Sequence, residues 1–575
     1  MQIREQLEQV MNAAIDAARA AGAFEAQGQV EALLERPRDA NHGDWASSAA
    51  LRCAKQAKMN PRDIAQAIIG HIPDNSLIDT VEVAGAGFIN IYLKARSLQD
   101  VLVRVCTEKD EYGKGEVEQG QRSVNLEYVS ANPTGPMHVG HGRWAALGDA
   151  MARVLRHAGY DVYEEFYIND AGNQMDLFGQ SVVCRYLQLA GFDVPLVENG
   201  YGGAYVVEIA QGILDRDSMK WVDTQEEERL AAFREMAYEE MLQLMKDTLA
   251  RFGNHFDCWF SERSLYVEGA DGESPVSRSL KAMDEKGYVY QKDGATWFRS
   301  TAFGDEKDRV MIKENGDYTY FMSDVAYHYD KLMRGFDHLI NIWGADHHGY
   351  VKRCEAMLAA WGRPGALEIV LGQLVNLFRD GEAVRMSKRT GEMITFSELL
   401  DEVGADSTRY LMLSRSSDQP IDFDIEAAKK RDASNPVFYV QYAHARICSI
   451  LRKAAGAAQR QAVLEGALTM EGLAERAFTS TPDLGCLTDA TEVALMRKME
   501  EFGELVGDAA RDRAPFRLTH YAQDLAALFH QFYTTCHVLG EDAGLSSARL
   551  YLANATRIVL AKSLDLLGVS APIQM

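Results

Sequence analysis

Two histidines three positions apart lie where an apolar segment gives way to a helical pattern. His138 and His141, in the run HVGH, follow VNLEYV and precede WAALGDAMARVLRHAGY. The first turn of a helix carries unpaired N–H groups and the positive end of the helix dipole, so phosphates bind there. Two imidazoles at this place can stabilise charge that develops on a phosphoryl group. Gly140, which lacks a side chain, would let a planar base approach the backbone. We therefore predict a nucleotide site with His138 and His141 as catalytic groups.

A lysine in a basic, glycine-flanked segment is the second candidate for phosphate chemistry. Lys388 lies in RMSKRTG, residues 385–391, and Gly381 and Gly391 flank it, as is typical of a loop. A lysine on such a loop can close over a triphosphate and neutralise the leaving pyrophosphate. The alternative interpretation of this segment alone is a solvated basic turn.

The elements around the histidines predict a doubly wound α/β fold. VNLEYV (124–129) is typical of a buried strand, the following helix should end at Gly159, and DVYEEFYIND (161–170) indicates another strand. HLINIWGAD (338–346) is typical of a core strand, and the alternating DYTYF segment (317–321) indicates further β structure.

The pattern divides the chain into three predicted domains. Residues 1–110 indicate a small α+β domain, helical at first and then strand, turn, strand over residues 81–93. Residues 111–435 should form a Rossmann-like domain with a parallel sheet, interrupted by an acidic helical insertion at about 172–280. Residues 436–575 indicate an all-helical domain.

Composition limits the classes of function. Hydrophobic residues make up 47% and charged residues 25%, as in a folded globular protein. A net charge of -24 argues against coating nucleic acid through bulk attraction, so any RNA recognition must be local. No apolar stretch long enough to span a membrane and no signal-peptide pattern is evident, so we expect a cytoplasmic protein. The 8 cysteines are scattered without a CxxC pair, so no tightly bound metal is expected.

The two candidate segments also resemble known signatures. NPTGPMHVGHGR is similar to the first signature of class I aminoacyl-tRNA synthetases, and the longer EYVSANPTGPMHVGHGR resembles bacterial arginyl-tRNA synthetases in particular. RMSKRTG resembles the second, KMSKS-type signature, although Arg385 and Arg389 replace the lysine and serine at its ends. The resemblance covers essentially the whole chain. It implies a Rossmann-like catalytic domain, an N-terminal domain that contacts tRNA and a helical anticodon-binding domain. It also implies ATP-dependent ligation of L-arginine to tRNA(Arg) through an arginyl-adenylate, with Mg²⁺ accompanying ATP.

The resemblance assigns roles to further residues. On the nucleotide side they are Pro133, Thr134, Gly135, Gly140, Gly344, Asp346, Met386 and Ser387. For arginine they are Glu127, Asn132, Tyr320, Asp324, His347 and His348. For tRNA they are Tyr439, Tyr442, Met575, Phe88 and Asn90.

Physical chemistry supports part of this assignment and leaves alternatives. A guanidinium calls for carboxylates, which it can contact in bidentate geometry. Tyr320 and Asp324 are four apart and would share a face if Tyr320 begins a helix, but Asp324 could instead cap a helix. Glu127 could belong to a surface ion pair. Tyr439 and Tyr442 could stack on unpaired bases or pack in the core.

Three rival functions stay open at this point. A class I synthetase for lysine is hard to exclude on charge alone. A nucleotidyltransferase also uses an HxGH turn, although such enzymes are usually much shorter. A non-catalytic RNA-binding relative is disfavoured because His138, His141 and Lys388 are all present. Nothing in the sequence indicates an obligate oligomer, so we expect a monomer.

The role assigned to Lys388 can be tested by truncation. If its ammonium neutralises the leaving pyrophosphate, Lys388→Ala lowers the rate of adenylate formation by about 10²–10³-fold, the usual cost of one charge-stabilising contact. Arginine affinity should change far less. An unchanged single-turnover rate would remove Lys388 from the catalytic group.

Overall fold

The structure, a computed structural model, describes residues 3–37, 42–118, 120–384 and 394–575. The strands are β1 (Leu34–Glu35), β2 (Trp45–Ser47), β3 (Ile78–Ala84), β4 (Phe88–Leu93), β5 (Ser123–Glu127), β6 (Asp161–Ile168), β7 (Cys258–Ser261), β8 (Val289–Lys292), β9 (Ala295–Phe298), β10 (Arg309–Ile312), β11 (His338–Gly344), β12 (Leu367–Gly372), β13 (Val375–Arg379), β14 (Glu382–Ala383) and β15 (Ile421–Asp424).

The helices follow in the same order along the chain. They are α1 (Ile3–Ala20), α2 (Ala49–Ala57), α3 (Pro61–Ile69), α4 (Ala95–Glu108), α5 (Val139–His157), α6 (Asn173–Leu189), α7 (Ala204–Asp217), α8 (Glu226–Phe252), α9 (Pro275–Glu285), α10 (Tyr320–Met333), α11 (Val351–Ala360), α12 (Phe396–Val403), α13 (Ala405–Met412), α14 (Ile425–Ala428), α15 (Pro436–Ala454), α16 (Ala457–Leu464), α17 (Met470–Ala477), α18 (Ala490–Glu500), α19 (Phe502–Arg511), α20 (Phe516–Thr535) and α21 (Ala543–Leu566). Within the described ranges, no helix is long and apolar enough to cross a membrane.

A five-stranded parallel sheet is the centre of the fold. Its order is β12-β11-β5-β6-β7, and each neighbouring pair is parallel. β5 is buried along nearly its whole length, as expected for a parallel strand covered on both faces. Because all strands run the same way, Glu127 of β5 and Gly344 of β11 end at the same edge of the sheet. The predicted Rossmann-like α/β fold is confirmed.

Two local predictions about the catalytic domain were wrong in part. The stretch at about 172–280, predicted as a helical insertion, contains α6, α7 and α8 but also β7, which pairs with β6 as the edge strand of the main sheet. Four residues of strand are too few to show a period. Residues 317–321 alternate like a strand, yet Tyr318 forms only an isolated bridge with Ile312, and α10 begins at Tyr320.

The first domain combines helices with a four-stranded antiparallel sheet of order β1-β2-β4-β3. The two strands predicted over residues 81–93 correspond to β3 and β4 of this sheet. Short strands β1 and β2 lie within the first 70 residues, where only helix was predicted.

The N-terminal domain is held against the C-terminal helices by ion pairs. Arg36 contacts Glu500 at 2.6 Å and Glu504 at 3.0 Å. Arg497 in turn pairs with Asp44.

Candidate active site

The two predicted catalytic histidines lie side by side where β5 leads into α5. His138 is the residue before the first turn of α5, with an extended backbone, and its N–H donates to Nδ1 of His141 at 3.2 Å. The two rings stack with centroids 3.7 Å apart and an interplanar angle of 17°. The helix they begin is 19 residues long. The structure therefore brings both imidazoles to the positive end of a long helix dipole.

Gly140 has a packing role beyond the one predicted for it. A side-chain carbon at this position would lie 2.9 Å from Cε1 of His138, so a larger residue would displace that imidazole. Pro133 and Thr134, predicted for the nucleotide, are buried in the preceding loop. The hydroxyl of Tyr205 donates to the Thr134 carbonyl at 2.9 Å and so braces the loop from α7.

The segment that follows the predicted loop at residues 385–391 packs directly on this turn. Thr395 forms an antiparallel bridge with His138, and the Phe396 N–H donates to the Met137 carbonyl at 2.8 Å. The Phe396 ring lies so close to Gly142 that a side-chain carbon there would be 2.3 Å away. Residues 385–393 lie outside the described residues, so the roles of Met386, Ser387 and Lys388 stay predictions.

The carboxyl groups of half-buried Asp324 and buried Glu262 lie close together near the carboxyl edge of the sheet. Asp324 is in the second turn of α10, which begins at Tyr320 after the cap residue Thr319, so Asp324 is not a helix cap. Removal from solvent, together with the like charges of Glu127 and Glu262, raises the pKa of its carboxyl to about 7. Glu262 is buried, and burial raises its pKa as well.

Polar groups surround these two carboxyls without neutralising them. Hydrogen bonds from Ser323, Tyr167 and Tyr266 favour the charged form of Glu262. The Tyr266 hydroxyl lies 2.6 Å from Oγ of Ser323. Among the residues that the structure describes, neither Asp324 nor Glu262 forms an ion pair within 4.0 Å. The arrangement is therefore suited to a cationic guest that would lower both pKa values.

Glu127, the third acid, is already paired. Its Oε2 accepts from Nζ of Lys331 at 2.7 Å, and its Oε1 accepts from Oγ of Ser130 at 2.9 Å. Both charged side chains are buried. The alternative of a surface pair is therefore wrong because the pair lies inside the protein, and Glu127 faces the same pocket as a neutralised acid.

The other predicted arginine and nucleotide residues lie in the loop before α5, at the start of α10 and in the turn after β11. Tyr320 is 77% exposed, and the Asn132 amide donates to the side chain of Gln174. A short 3-10 turn, Ala345–Tyr350, follows Gly344 and carries three further residues with exposed side chains: Asp346, His347 and His348. His347 Nε2 lies 3.6 Å from the Asp346 carboxylate. Gly135 lies in the loop before α5, close to the Tyr205 hydroxyl.

The predicted tRNA-binding tyrosines differ in their surroundings. Tyr439 is half-buried, with its ring 4.9 Å from that of His530. Tyr442 is exposed, and its hydroxyl accepts from the Arg446 guanidinium at 2.7 Å. The Arg446 guanidinium also lies 4.9 Å from the ring centre of Tyr533, another exposed tyrosine. Tyr442 and Arg446 therefore present a stacking surface, whereas Tyr439 is closer to core packing.

Buried polar side chains of α15 hold the C-terminal tail against that helix. Gln441 donates to the Ser570 carbonyl, His444 Nδ1 lies 2.9 Å from the Pro572 carbonyl, and Arg452 donates to the Ile573 carbonyl. Exposed Met575 follows two residues after Ile573. In the N-terminal domain, Phe88 is half-buried at the hairpin, whereas Asn90 is buried in β4 and does not face solvent.

Two features of this region had no signal in the sequence. Glu262 lies in a 3-10 turn, Glu262–Tyr266, which follows β7, and its neighbours form no motif. Arg143, two residues after His141, is buried and donates only to backbone carbonyls, among them those of Gln373 and Gln419 at 2.7 Å. It therefore connects α5 to the loops after β12 and before β15.

Comparison with known proteins covers the whole chain. Three family models match: "Arginyl tRNA synthetase N terminal domain" at residues 1–93, "tRNA synthetases class I (R), catalytic domain" at 102–447 and "DALR anticodon binding domain" at 440–575. The chain is 45% identical to the arginine--tRNA ligase of Geobacillus kaustophilus, covering 100% of this chain and 99% of the relative. It is 46% identical to that of Heliobacterium modesticaldum, covering 94% and 93%. The fold matches the structure of Thermus thermophilus arginyl-tRNA synthetase with a TM-score of 0.75 at 23% identity, covering 100% of both chains.

The raised pKa of Asp324 predicts how its replacement changes stability. The folded-state pKa of Asp324, about 7, lies above the ordinary 3.8, so the carboxyl ionises at lower pH in the unfolded chain than in the folded protein. The free energy of unfolding therefore falls as pH rises between these two values. Asp324→Asn removes that cost. We expect the free energy of unfolding of Asp324→Asn to exceed that of the wild type by more at pH 8 than at pH 5, as measured by urea denaturation. An equal difference at both pH values would contradict the raised pKa.

Proposed function

This chain belongs to the arginyl-tRNA synthetase family, and we propose that it ligates L-arginine to tRNA(Arg) through an arginyl-adenylate made from ATP. The observation that carries the substrate assignment is the pair of neighbouring carboxyls, Asp324 and Glu262, both with raised pKa values and without an ion-pair partner among the described residues. A guanidinium is planar and always charged, and it offers five donors in a rigid fork. It can contact two carboxylates at once.

The same pair argues against lysine as the substrate. An ammonium is a compact, strongly hydrated point charge, and it lacks the bidentate geometry of a guanidinium. A single ammonium would leave at least one of these two carboxyls poorly satisfied. Leaving such a group unpaired costs more than the contact itself would gain. The length of the chain and its helical C-terminal domain also disfavour the nucleotidyltransferase alternative.

In the first step, a carboxylate oxygen of arginine attacks the α-phosphorus of ATP. The new P–O bond gives arginyl-adenylate, and the bond to the bridging oxygen breaks to release pyrophosphate. His138 and His141, together with the first N–H groups of α5, would stabilise the charge on the α-phosphoryl oxygens. Lys388 would neutralise the pyrophosphate. No protein side chain serves as nucleophile, so positioning and electrostatics supply the catalysis.

In the second step, a ribose hydroxyl at the end of the tRNA attacks the carbonyl carbon of the adenylate. An ester forms, and AMP leaves with the former carboxylate oxygen. The nucleotide would lie between the α5 turn and the exposed 3-10 turn that holds Asp346 and His347. Mg²⁺ would accompany ATP, held mainly by phosphate oxygens and water. We further propose that the enzyme acts as a monomer in the cytoplasm.

The C-terminal domain would read the anticodon through its exposed aromatic surface. Bases of single-stranded RNA stack on tyrosine rings and arginine planes, and Tyr442 with Arg446 offers both. Exposed Met575 would lie nearby because the tail before it is fixed on α15. Local recognition of this kind is compatible with the acidic character of the whole chain.

Arginine recognition is tested by removing the charge either from the protein carboxyls or from the ligand. We expect Asp324→Asn and Glu262→Gln each to raise the KM for arginine by at least ~10-fold, since a hydrogen bond to a charged group is worth about 1.5–3 kcal/mol. Citrulline, which has the shape without the charge, should not compete with arginine in ATP–pyrophosphate exchange with tRNA present. Glu285→Gln, an exposed carboxylate on α9, is the control and should leave the KM unchanged. Strong inhibition by citrulline would refute the acidic pocket.

The stacking surface is tested by two truncations on one helix face. Tyr442→Ala should raise the KM for tRNA at least ~5-fold, because one base stacked on an aromatic ring contributes about 1–3 kcal/mol. Its Tm should move little. Tyr439→Ala, the matched control, should mainly lower the Tm because that ring packs against His530. If Tyr442→Ala leaves the KM for tRNA unchanged, the anticodon contact lies elsewhere.

A further inference from the structure

A fully buried lysine lies beneath the proposed arginine pocket. Nζ of Lys331, on α10, is 2.7 Å from Glu127 Oε2 and 3.1 Å from Asn341 Oδ1, and it lies 4.3 Å from the ring centre of Tyr327. The Lys331 side chain has no exposed surface. A buried ammonium is tolerated only when it is paired and hydrogen-bonded, so its position is fixed by these partners.

The acid partner of this lysine ends β5 and contacts the strained loop that follows it. Oε1 of Glu127 accepts from Oγ of Ser130 at 2.9 Å, and the same Oγ accepts from the Tyr167 N–H at 3.1 Å. Val129 and Ser130 have φ values of 69° and 38°, in the left-handed region that such residues rarely adopt. The contacts that hold this backbone therefore include the Glu127 carboxylate. The loop leads directly to the α5 turn.

The amide partner of the lysine leads to Asp324. Asn341 Nδ2 lies 3.0 Å from Nε2 of His328, and His328 Nδ1 lies 2.8 Å from the Asp324 carbonyl. Burial lowers the pKa of His328 to about 3, so its imidazole is neutral. With the proton on Nδ1, every donor in the series has an acceptor: lysine to asparagine, asparagine to histidine, histidine to carbonyl. The series joins β11 to the turn of α10 that carries Asp324.

We propose that Lys331 is a positioning residue of the arginine site, which neutralises Glu127 and fixes Asp324 relative to the carboxyl ends of β5 and β11. This inference rests on the proposed function, because it takes Asp324 as the guanidinium partner. Lys331 does not touch substrate. It acts by balancing the charge of Glu127, so that Asp324 does not experience the full field of that acid in addition to the field of Glu262.

The charge around Asp324 is set by groups on several elements. The groups that face Asp324 are Glu127 on β5, Tyr167 on β6, Glu262 and Tyr266 on the turn after β7, Arg353 and Cys354 on α11, and His328 on its own helix. Glu127 raises the pKa of Asp324 and Arg353 lowers it. Loss of Lys331 alone would expose the full charge of Glu127. Loss of Glu127 alone would leave a buried cation nearby.

The test compares single and double charge variants by the pH dependence of their kcat/KM for arginine. The dependence of kcat/KM for arginine on pH reports the ionisation of the free enzyme. It would be measured by ATP–pyrophosphate exchange with the full chain and saturating tRNA. Lys331→Met should move the acid limb to higher pH by about half a unit, the effect of one added charge across a partly screened interior. Glu127→Gln should move it to lower pH, and the double variant should return it to the wild-type position.

Opposite shifts that cancel support the proposal, because lost packing alone would not reverse sign. Shifts in the same direction, or no shift, would overturn it. Removing one member of a buried ion pair typically costs about 3–5 kcal/mol, so Lys331→Met could fail to fold. In that case, a downward shift in Glu127→Gln that the double variant reverses supports the same conclusion, and its absence overturns it.

Two controls separate this inference from the proposed function. Lys498→Met removes a lysine that pairs with Glu501 and Asp524 in the C-terminal domain, and it should leave the pH profile unchanged. Asp324→Asn should abolish the acid limb. If Asp324→Asn keeps the wild-type profile and arginine KM, the pocket assignment itself fails. If Asp324→Asn behaves as expected but the Lys331 and Glu127 shifts do not oppose, only the role of Lys331 fails.

Discussion

A carboxylate buried in a protein must be neutralised, and this constraint shapes the carboxyl edge of the central sheet. Glu165 is fully buried, and the Arg334 guanidinium contacts both of its oxygens at 2.6 and 2.9 Å. Glu127 is matched with Lys331 in the same way. Asp324 and Glu262 depart from this pattern among the described residues, and both have raised pKa values. The fold therefore holds two acids in a state that a bound cation would complete.

Ion pairs around these acids offset the unfavourable free energy of holding them without a partner. Lys331 lies on the same helix as Asp324, and Arg334 is the cap residue that follows it, so α10 is fixed to the sheet through a buried ion pair with Glu127 and a second ion pair with Glu165. A site fixed in this way loses little conformational freedom when its ligand binds. The stacked histidines lie on α5, which is buried along most of its length and is equally constrained.

Sequence reasoning succeeded where the chemistry is local along the chain. The HVGH run, the strand before it and the helix after it are contiguous, so their arrangement follows from turn and helix rules. The spacing of Tyr320 and Asp324 would place them on one face only if Tyr320 began a helix, and that condition is met although the alternation of residues 317–321 predicted a strand. Glu262 was missed because it is far from Asp324 in sequence and joins it only through the pairing of β7 with β6.

The pairing of acids with bases was equally inaccessible from sequence. Nothing near Glu127 in the chain shows that Lys331 neutralises it, because the two residues meet only when α10 packs across the sheet. The inward position of Asn90 and the strand β7 were missed for a related reason. A short strand or a single polar residue has too little pattern to reveal its tertiary partner.

The number of protons released on arginine binding is the most direct test that Asp324 has a raised pKa and contacts the guanidinium. If Asp324 has a pKa of about 7 in the free protein and meets the guanidinium as a carboxylate, binding at pH 7 must expel protons. Calorimetric titration of arginine with saturating tRNA present, in two buffers of different ionisation enthalpy, measures that number. The account predicts about half a proton released per arginine at pH 7, from a group titrating at that pH, and almost none at pH 9. Binding heat that is independent of the buffer at pH 7 would contradict it.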